Sequence, residues 1–295
     1  MSTFVRGVMG AQMLVLALIT QSAAAATGPY VSYNLANSGD DTVVNSAQWV
    51  YASGATHGPA GGNDGTGQAS LAARAGAGQA QLSLGATGFG FSSFASAGWA
   101  DQVVIDAPGL TGTKGTISFE LQYDLLGSVN LFPVGQGSLQ SYVSAYLRPL
   151  DGSAASQSAT VSQLSTYQCG MGCSTSSTWD AYSLRTVTPS FTDHSAVVTL
   201  NVVFGQTYSM STTLAAEFGG STSSQAGSAG IDATLLWGGI TAVTGTGGQA
   251  VTNYSIASAI GLDYASAVTQ VPEPRSMMLM AAGLMLLAGL RRRTR

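Results

Sequence analysis

The side chains in this sequence that can do chemistry are few, and they fall in small groups. Cys169-Gly170-Met171-Gly172-Cys173 holds both cysteines. Two glycines among the three intervening residues permit the tight curl of a short loop, so Cys169 and Cys173 are expected to form a local disulfide. A redox pair would favour Cys-x-x-Cys in a thioredoxin-like setting. A zinc site would need further thiolate or imidazole ligands. His57 and His194 are the only histidines, and neither stands at motif spacing. Asp193-His194-Ser195 has the residue types of a hydrolase triad. Triad members converge from separate segments, however, and consecutive strand residues point to opposite faces. The trio is expected to be a turn before a strand starting at Ala196. Gly-x-Ser-x-Gly, the nucleophile elbow, is absent.

Paired carboxylates are the chemistry of glycoside hydrolysis. Glu120 and Asp124 share one face of a strand at i and i+4, roughly 13 Å apart at ~3.3 Å per residue. Retaining enzymes need about 5–5.5 Å and inverting ones about 6.5–9.5 Å, so this pair is too wide, while pairs between strands stay open. Asn63-Asp64-Gly65 and Asp40-Asp41 offer oxygen ligands for calcium. No loop has the acid density of an EF-hand, and Asx-Gly is ordinary turn chemistry. Trp99, Trp179 and Tyr182 are candidates for stacking on sugars, although aromatics in β proteins are more often core. No metal, no cofactor and no catalytic residue are expected.

The elements that position these groups show by alternation. Ile117, Phe119, Leu121, Tyr123 and Leu125 point one way, and Ser118, Glu120, Gln122 and Asp124 the other, giving a strand with one wet face. Val198 to Phe204, Tyr208 to Phe218 and Ile231 to Trp237 repeat the pattern. Tyr142 to Arg148 does so more loosely. Weaker candidates are Thr42 to Tyr51, Gln79 to Leu84, Phe89 to Ile105 and Ala181 to Val187. Gly54 to Gly67, Ala107-Pro108-Gly109, Gly219-Gly220 and Gly245 to Gly248 read as breaks. Many strands, short Gly-rich breaks and no long helical period predict an all-β fold, an antiparallel β-sandwich or jelly roll. An outer-membrane barrel is disfavoured, since no even series of strands with aromatic girdles is seen.

Both ends read as addresses. Arg6, then the apolar run Met13 to Ile19, then small residues up to Ala26 have the layout of a signal peptide over 1–26, with cleavage after Ala25 or Ala26. At the other end, over 271–295, Pro272-Glu273-Pro274 precedes an uncharged 15-residue stretch, 276–290, and then Arg291, Arg292, Arg293 and Arg295. That stretch is expected to be a transmembrane helix. It is short for a span of about 17–25 residues, and flanking arginines extend it by snorkelling. The basic cluster keeps the tail in the cytoplasm. The chain would thus be exported and held by its tail in the inner membrane.

Pro-Glu-Pro, a short apolar helix and a terminal arginine cluster resemble the PEP-CTERM sorting signal. Pro272, Glu273 and Pro274 match the motif residue by residue. The resemblance implies processing by an exosortase, a membrane-embedded cysteine transpeptidase, in a Gram-negative cell that makes exopolysaccharide. It covers about the last 25 residues and says nothing about the activity of the cargo. A looser resemblance to such cargo lies between Phe204 and Thr244. An oxidising periplasm on the export route favours the Cys169–Cys173 disulfide.

Between the two ends, 27–270 is one exported domain with four basic residues, Arg74, Lys114, Arg148 and Arg185, against thirteen acids, a net charge near −9. Charged residues are only 8% of the chain, against about 25% usually. Nucleic acid is excluded as a partner, since phosphate backbones need clustered Lys and Arg. Catalysis needs titratable groups with tuned pKa values, and few are present, so the domain is not expected to be an enzyme. The expected role is a cell-surface or matrix protein working beside exopolysaccharide in a biofilm, processed by signal peptidase and exosortase. A glycan-binding module and a secreted hydrolase are the alternatives.

Overall fold

Alternating apolar and hydroxyl-bearing residues leave the backbone one economical option, pairing into sheets that share a core. The computed structural model describes residues 27–34, 42–45, 50–59, 66–88, 92–131, 135–169, 173–221 and 227–269. The signal peptide expected over 1–26, the tail 271–295 with its helix 276–290, and the loop carboxylates Asp40, Asp41 and Asp64 lie outside the described residues.

The strands run in order β1 (Gly28–Asn34), β2 (Thr42–Asn45), β3 (Val50–Pro59), β4 (Thr66–Gly76), β5 (Gln79–Gly88), β6 (Ser92–Asp106), β7 (Lys114–Leu131) and β8 (Gly135–Pro149). Then follow β9 (Gln157–Cys169), β10 (Cys173–Leu184), β11 (Ser190–Phe191), β12 (Ser195–Val203), β13 (Thr207–Ser221), β14 (Gly227–Gly245) and β15 (Ser255–Ser258). The described residues contain no helix. Sequence alternation found the long inner strands. It missed β1, β4, β9, β11 and β15; β4 is built mainly of Ser, Thr, Ala and Gly, and β11 and β15 are too short to show a period. Two expected breaks are strand instead: most of 54–67 belongs to β3 and β4, and β13 runs through Gly219-Gly220. Glycine permits a turn but does not impose one when a neighbouring strand offers hydrogen bonds.

One sheet has the order β10-β9-β8-β13-β6-β1-β2, with β15 also on β6, and the other β11-β12-β7-β14-β5-β4-β3; every pair is antiparallel. Below they are the eight-stranded and the seven-stranded sheet. The central orders, β6-β13-β8-β9 and β5-β14-β7-β12, nest later strands against earlier ones across two sheets. This is the order of a jelly roll, widened at its edges by the remaining strands. The inner faces share one core that includes Trp99, Phe119, Leu121, Leu147, Leu200, Leu214 and Trp237, all buried. Each such side chain contributes about 1.5–3 kcal/mol when fully buried.

The segment after β14 closes one end of the sandwich. The Val251 N–H donates to the Val243 carbonyl, 2.8 Å, and β15 then pairs with β6 beyond the reach of β1. Asp101, buried on β6, catches the next turn. Its Oδ2 accepts from Ser258 Oγ at 2.5 Å, and its Oδ1 from the Ala259 and Ile260 amides at 2.9 and 3.2 Å. The strap then reaches β14, whose pairing with β7 shifts register at Trp237–Gly239 while the indole stays buried in the core. Trp237 Nε1 donates to the Tyr264 carbonyl at 2.9 Å, the two rings meet edge to face at 4.9 Å, and the Val268 N–H donates to the Trp237 carbonyl at 2.8 Å. Gly239 makes this approach with φ +91 and the Ala265–Ala267 backbone against it, where a Cβ would be strained.

Candidate functional site

The outer face of the seven-stranded sheet carries Glu120, Asp124 and Arg74. On β7, Glu120, Gln122 and Asp124 point away from the core, as the alternation requires. Register sets Asp124 opposite Thr234 of β14, Thr234 opposite Gln81 of β5, and Gln81 opposite Arg74 of β4. Arg74 Nε donates to Gln81 Oε1 at 2.6 Å. On the other side of β7, Ser195 sits opposite Gln122. Glu120, Gln122, Tyr123, Asp124, His194, Ser195, Thr234 and Leu236 line an open depression of about 380 Å³. The fold thus gathers both carboxylates of the expected wide pair with the imidazole and hydroxyl of the Asp-His-Ser trio.

Local geometry explains each member. Phe191 pairs with Ala196, and the Thr192 amide donates to the Ser195 carbonyl at 2.8 Å, so Asp193 and His194 are the tip of a two-residue hairpin. Thr192 Oγ1 accepts from the His194 and Ser195 amides at 3.2 and 3.0 Å. This is the local side-chain capping that favours Thr in turns. His194 Nε2 lies 3.7 Å from Asp193 Oδ2, with both side chains largely exposed. Glu120 Oε2 accepts from Gln122 Nε2 at 3.3 Å. Tyr123 anchors the hairpin from inside: its hydroxyl donates to the Thr192 and Ser195 carbonyls at 2.7 and 3.1 Å. Burial, and the negative charge of Asp193, raise its phenol above the ordinary tyrosine range.

The outer face of the eight-stranded sheet is different. Across its strands run Tyr30, Gly98, Thr213, Ser144, Thr160 and Tyr182 in one row, and Ser32, Ser96, Ala215, Tyr142, Ser162 and Asp180 in the next. Ser96, Thr213, Ser144, Thr160, Ser162 and both Tyr30 and Tyr142 are buried. Tyr30 reaches over Gly98 to hydrogen-bond Thr213 Oγ1. Burial pushes its phenol up to about 12, and raises that of Tyr142 further, with Glu217, Tyr182 and Tyr30 adding to the effect.

The aromatic candidates divide. Trp99 is fully buried in the core, which corrects its reading as a sugar platform; its phase with Val103 and Ile105 points it inward. Trp179 is partly buried between Tyr123 and Phe191, at ring distances of 6.0 and 6.4 Å. Tyr182 is exposed. The β9–β10 hairpin carries cross-strand hydroxyl pairs, Thr166 with Ser176 at 2.6 Å and Ser165 with Ser177 at 3.3 Å. At its tip, register sets Cys169 directly opposite Cys173. His57 sits on β3 opposite Gln68. Among the described residues, no three His, Cys, Asp or Glu side chains gather as a metal site.

Sequence reasoning passed over Asp101, although its signal was present. It shares the phase of Trp99, Val103 and Ile105, so it is an acid on an apolar face, which calls for buried partners.

Residues 270–293 match the family model of the PEP-CTERM protein-sorting motif. The match takes in Pro272, Glu273, Pro274 and Arg291 to Arg293, and begins two residues after the last strap contact at Val268. The motif implies a protein exported through the cell envelope and processed by an exosortase. Comparison with curated proteins gives no match, and comparison with solved structures gives none.

Proposed function

We propose that the sandwich is a structural component of the cell surface or biofilm matrix, placed beside exopolysaccharide by its sorting signal. Signal peptidase removes 1–26, the tail 276–290 holds the chain in the inner membrane for a time, and exosortase processing at the Pro272-Glu273-Pro274 signal releases or transfers the domain. The observation that carries this reading is the β9–β10 hairpin, whose Ser174, Ser176, Ser177, Thr178 and Tyr182 are exposed. Neutral hydroxyls and an aromatic ring suit many weak contacts with hydrated sugar chains and avoid the repulsion that carboxylates would bring. Processed protein from exosortase-competent cells should co-sediment with the cell's exopolysaccharide. Deleting the gene should change aggregation or matrix texture. Failure to co-sediment together with an unchanged matrix would remove the reading.

A second reading, a secreted hydrolase, is favoured by one observation: Glu120, Asp124, His194 and Ser195 converge on the same depression. Turnover of polysaccharides or esters by the processed protein, lost in Glu120→Gln or His194→Ala, would establish it. The structural reading expects no turnover.

A further inference from the structure

We propose that β10 is a pairing edge on which a second copy of this chain adds its own β10, antiparallel about a two-fold axis. Among the described residues β10 is terminal in the eight-stranded sheet and pairs only with β9, in unbroken register from Cys173–Cys169 to Leu184–Ser158. Its outer edge therefore presents a row of backbone donors and acceptors. Ala181 shows the direction: its amide is taken by the neighbouring Asp180 carboxylate at 2.8 Å rather than by a partner strand.

Proteins usually blunt such an edge with short strands, proline, lysine, bulges or a covering segment. Other edges carry some of those devices, though the ten-residue β3 has only its terminal proline. β2 has four residues and β11 two. β3 ends on Pro59. The free stretches of β6 and β14 are covered by the strap. β10 has twelve residues, no proline, no bulge and one charge, Asp180. Apolar surface accompanies it: Tyr182 is 41% exposed, Leu184 53%, and beyond the strand Val187 66% and Phe191 39%.

The occupant follows from charge and symmetry. The exported portion carries a net charge near −9, yet this edge is almost neutral. It offers no complement to a basic or an acidic strand, and along it two acidic copies meet with little repulsion. Opposed residues in an antiparallel pair share a face, so a two-fold pairing centres on a residue. Centring on Asp180 would oppose two carboxylates. Centring on Trp179 sets Asp180 against Thr178, Tyr182 against Ser176 and Leu184 against Ser174, all without like charge. The result is one continuous sheet across two sandwiches, with the hydroxyl faces of both hairpins on the same sides. This inference stands apart from the glycan reading and does not depend on it.

The test is sedimentation of the processed protein over a concentration series, in reducing and non-reducing buffer alike. The expected result is a shift from the mass of one copy to that of two. Ala181→Pro removes an edge amide that the β9 ladder does not use, so it should weaken association at least about tenfold with the fold retained by circular dichroism. Leu184→Lys, at an exposed side chain, should act in the same direction and serves as the readout if the proline variant does not fold. A wild-type protein at the mass of one copy throughout would overturn the proposal. So would a dimer that persists unchanged in these variants.

Discussion

The two outward faces of the sandwich are built on the same alternation and reach opposite ends. On the seven-stranded sheet, Gln122 is exposed and Glu120 and Asp124 are half-buried, and all three border a shallow depression. On the eight-stranded sheet, the equivalent positions of β13, Ser209, Ser211, Thr213 and Ala215, are buried although they point away from the core. Side-chain size separates the two. Ser, Thr, Ala and Gly stand low on the pleat, and large rings lie over them, as Tyr30 does over Gly98. The longer Glu120, Gln122 and Asp124 side chains reach solvent at least in part. A polar residue in alternation thus marks the face away from the core, but only its neighbours across the strands decide whether that face is wet.

The largest expected effect lies on the hydroxyl face. A Cβ on Gly98 would run into the Thr212 carbonyl oxygen and crowd the Tyr30 hydroxyl. Gly98→Ala should therefore cost about 3 kcal/mol, read as a lower urea midpoint. A cost near zero would mean that Tyr30 does not lie tightly on this sheet.

Alkali should act on the same face. Below pH 10 the phenols are protonated in both the folded and unfolded chains. Above it the unfolded chain ionises while Tyr30 stays neutral up to about 12. The unfolded state then binds fewer protons, so stability falls as pH rises. For Tyr30 the gap is worth roughly 3 kcal/mol. Tyr30→Phe should flatten the fall, measured as unfolding free energy against pH with tyrosinate absorbance as the reporter. An equal fall in the variant would assign the alkaline loss to other phenols, such as Tyr142.

The hairpin that extends this face should show a smaller effect. If Cys169 and Cys173 are bridged, reduction opens a very short loop and should cost about 2 kcal/mol by chain entropy. Native processed protein should also resist thiol labelling until it is reduced. Ready labelling would show that the tip is open. The smallest effect belongs to the charged face. Glu120→Gln and Asp124→Asn should each change stability by less than about 0.5 kcal/mol in thermal melts. A larger loss would mean that this face carries more than solvated charge.

Much of the site could be read before any fold was known. Glu120 and Asp124 were placed on one strand face, and the Asp193-His194-Ser195 turn was placed before its strand. Their meeting in one depression could not be read, because it depends on β12 and β14 both flanking β7, an adjacency set by strands far apart in sequence. Trp99, a candidate for sugar stacking, lies in the core, as aromatics in β proteins more often do. Its side of the strand follows from phase, but phase alone does not say which side becomes core. Asp101 shows the converse: its phase was legible, while the Ser258–Ile260 turn that satisfies it lies 157 to 159 residues away.

By itself the sequence determined the sorting tail, the all-β class and the rhythm of the long inner strands. These rest on order and period along the chain, which need no partner in space. Only the tertiary structure decided the nesting of β5 to β9 against β12 to β14, the burial of a hydroxyl face, the strap on Asp101 and the bare edge of β10. Each is a matter of which strand lies beside which. Strand pairing is made by backbone hydrogen bonds that every residue but proline offers alike, so local sequence does not name the partner.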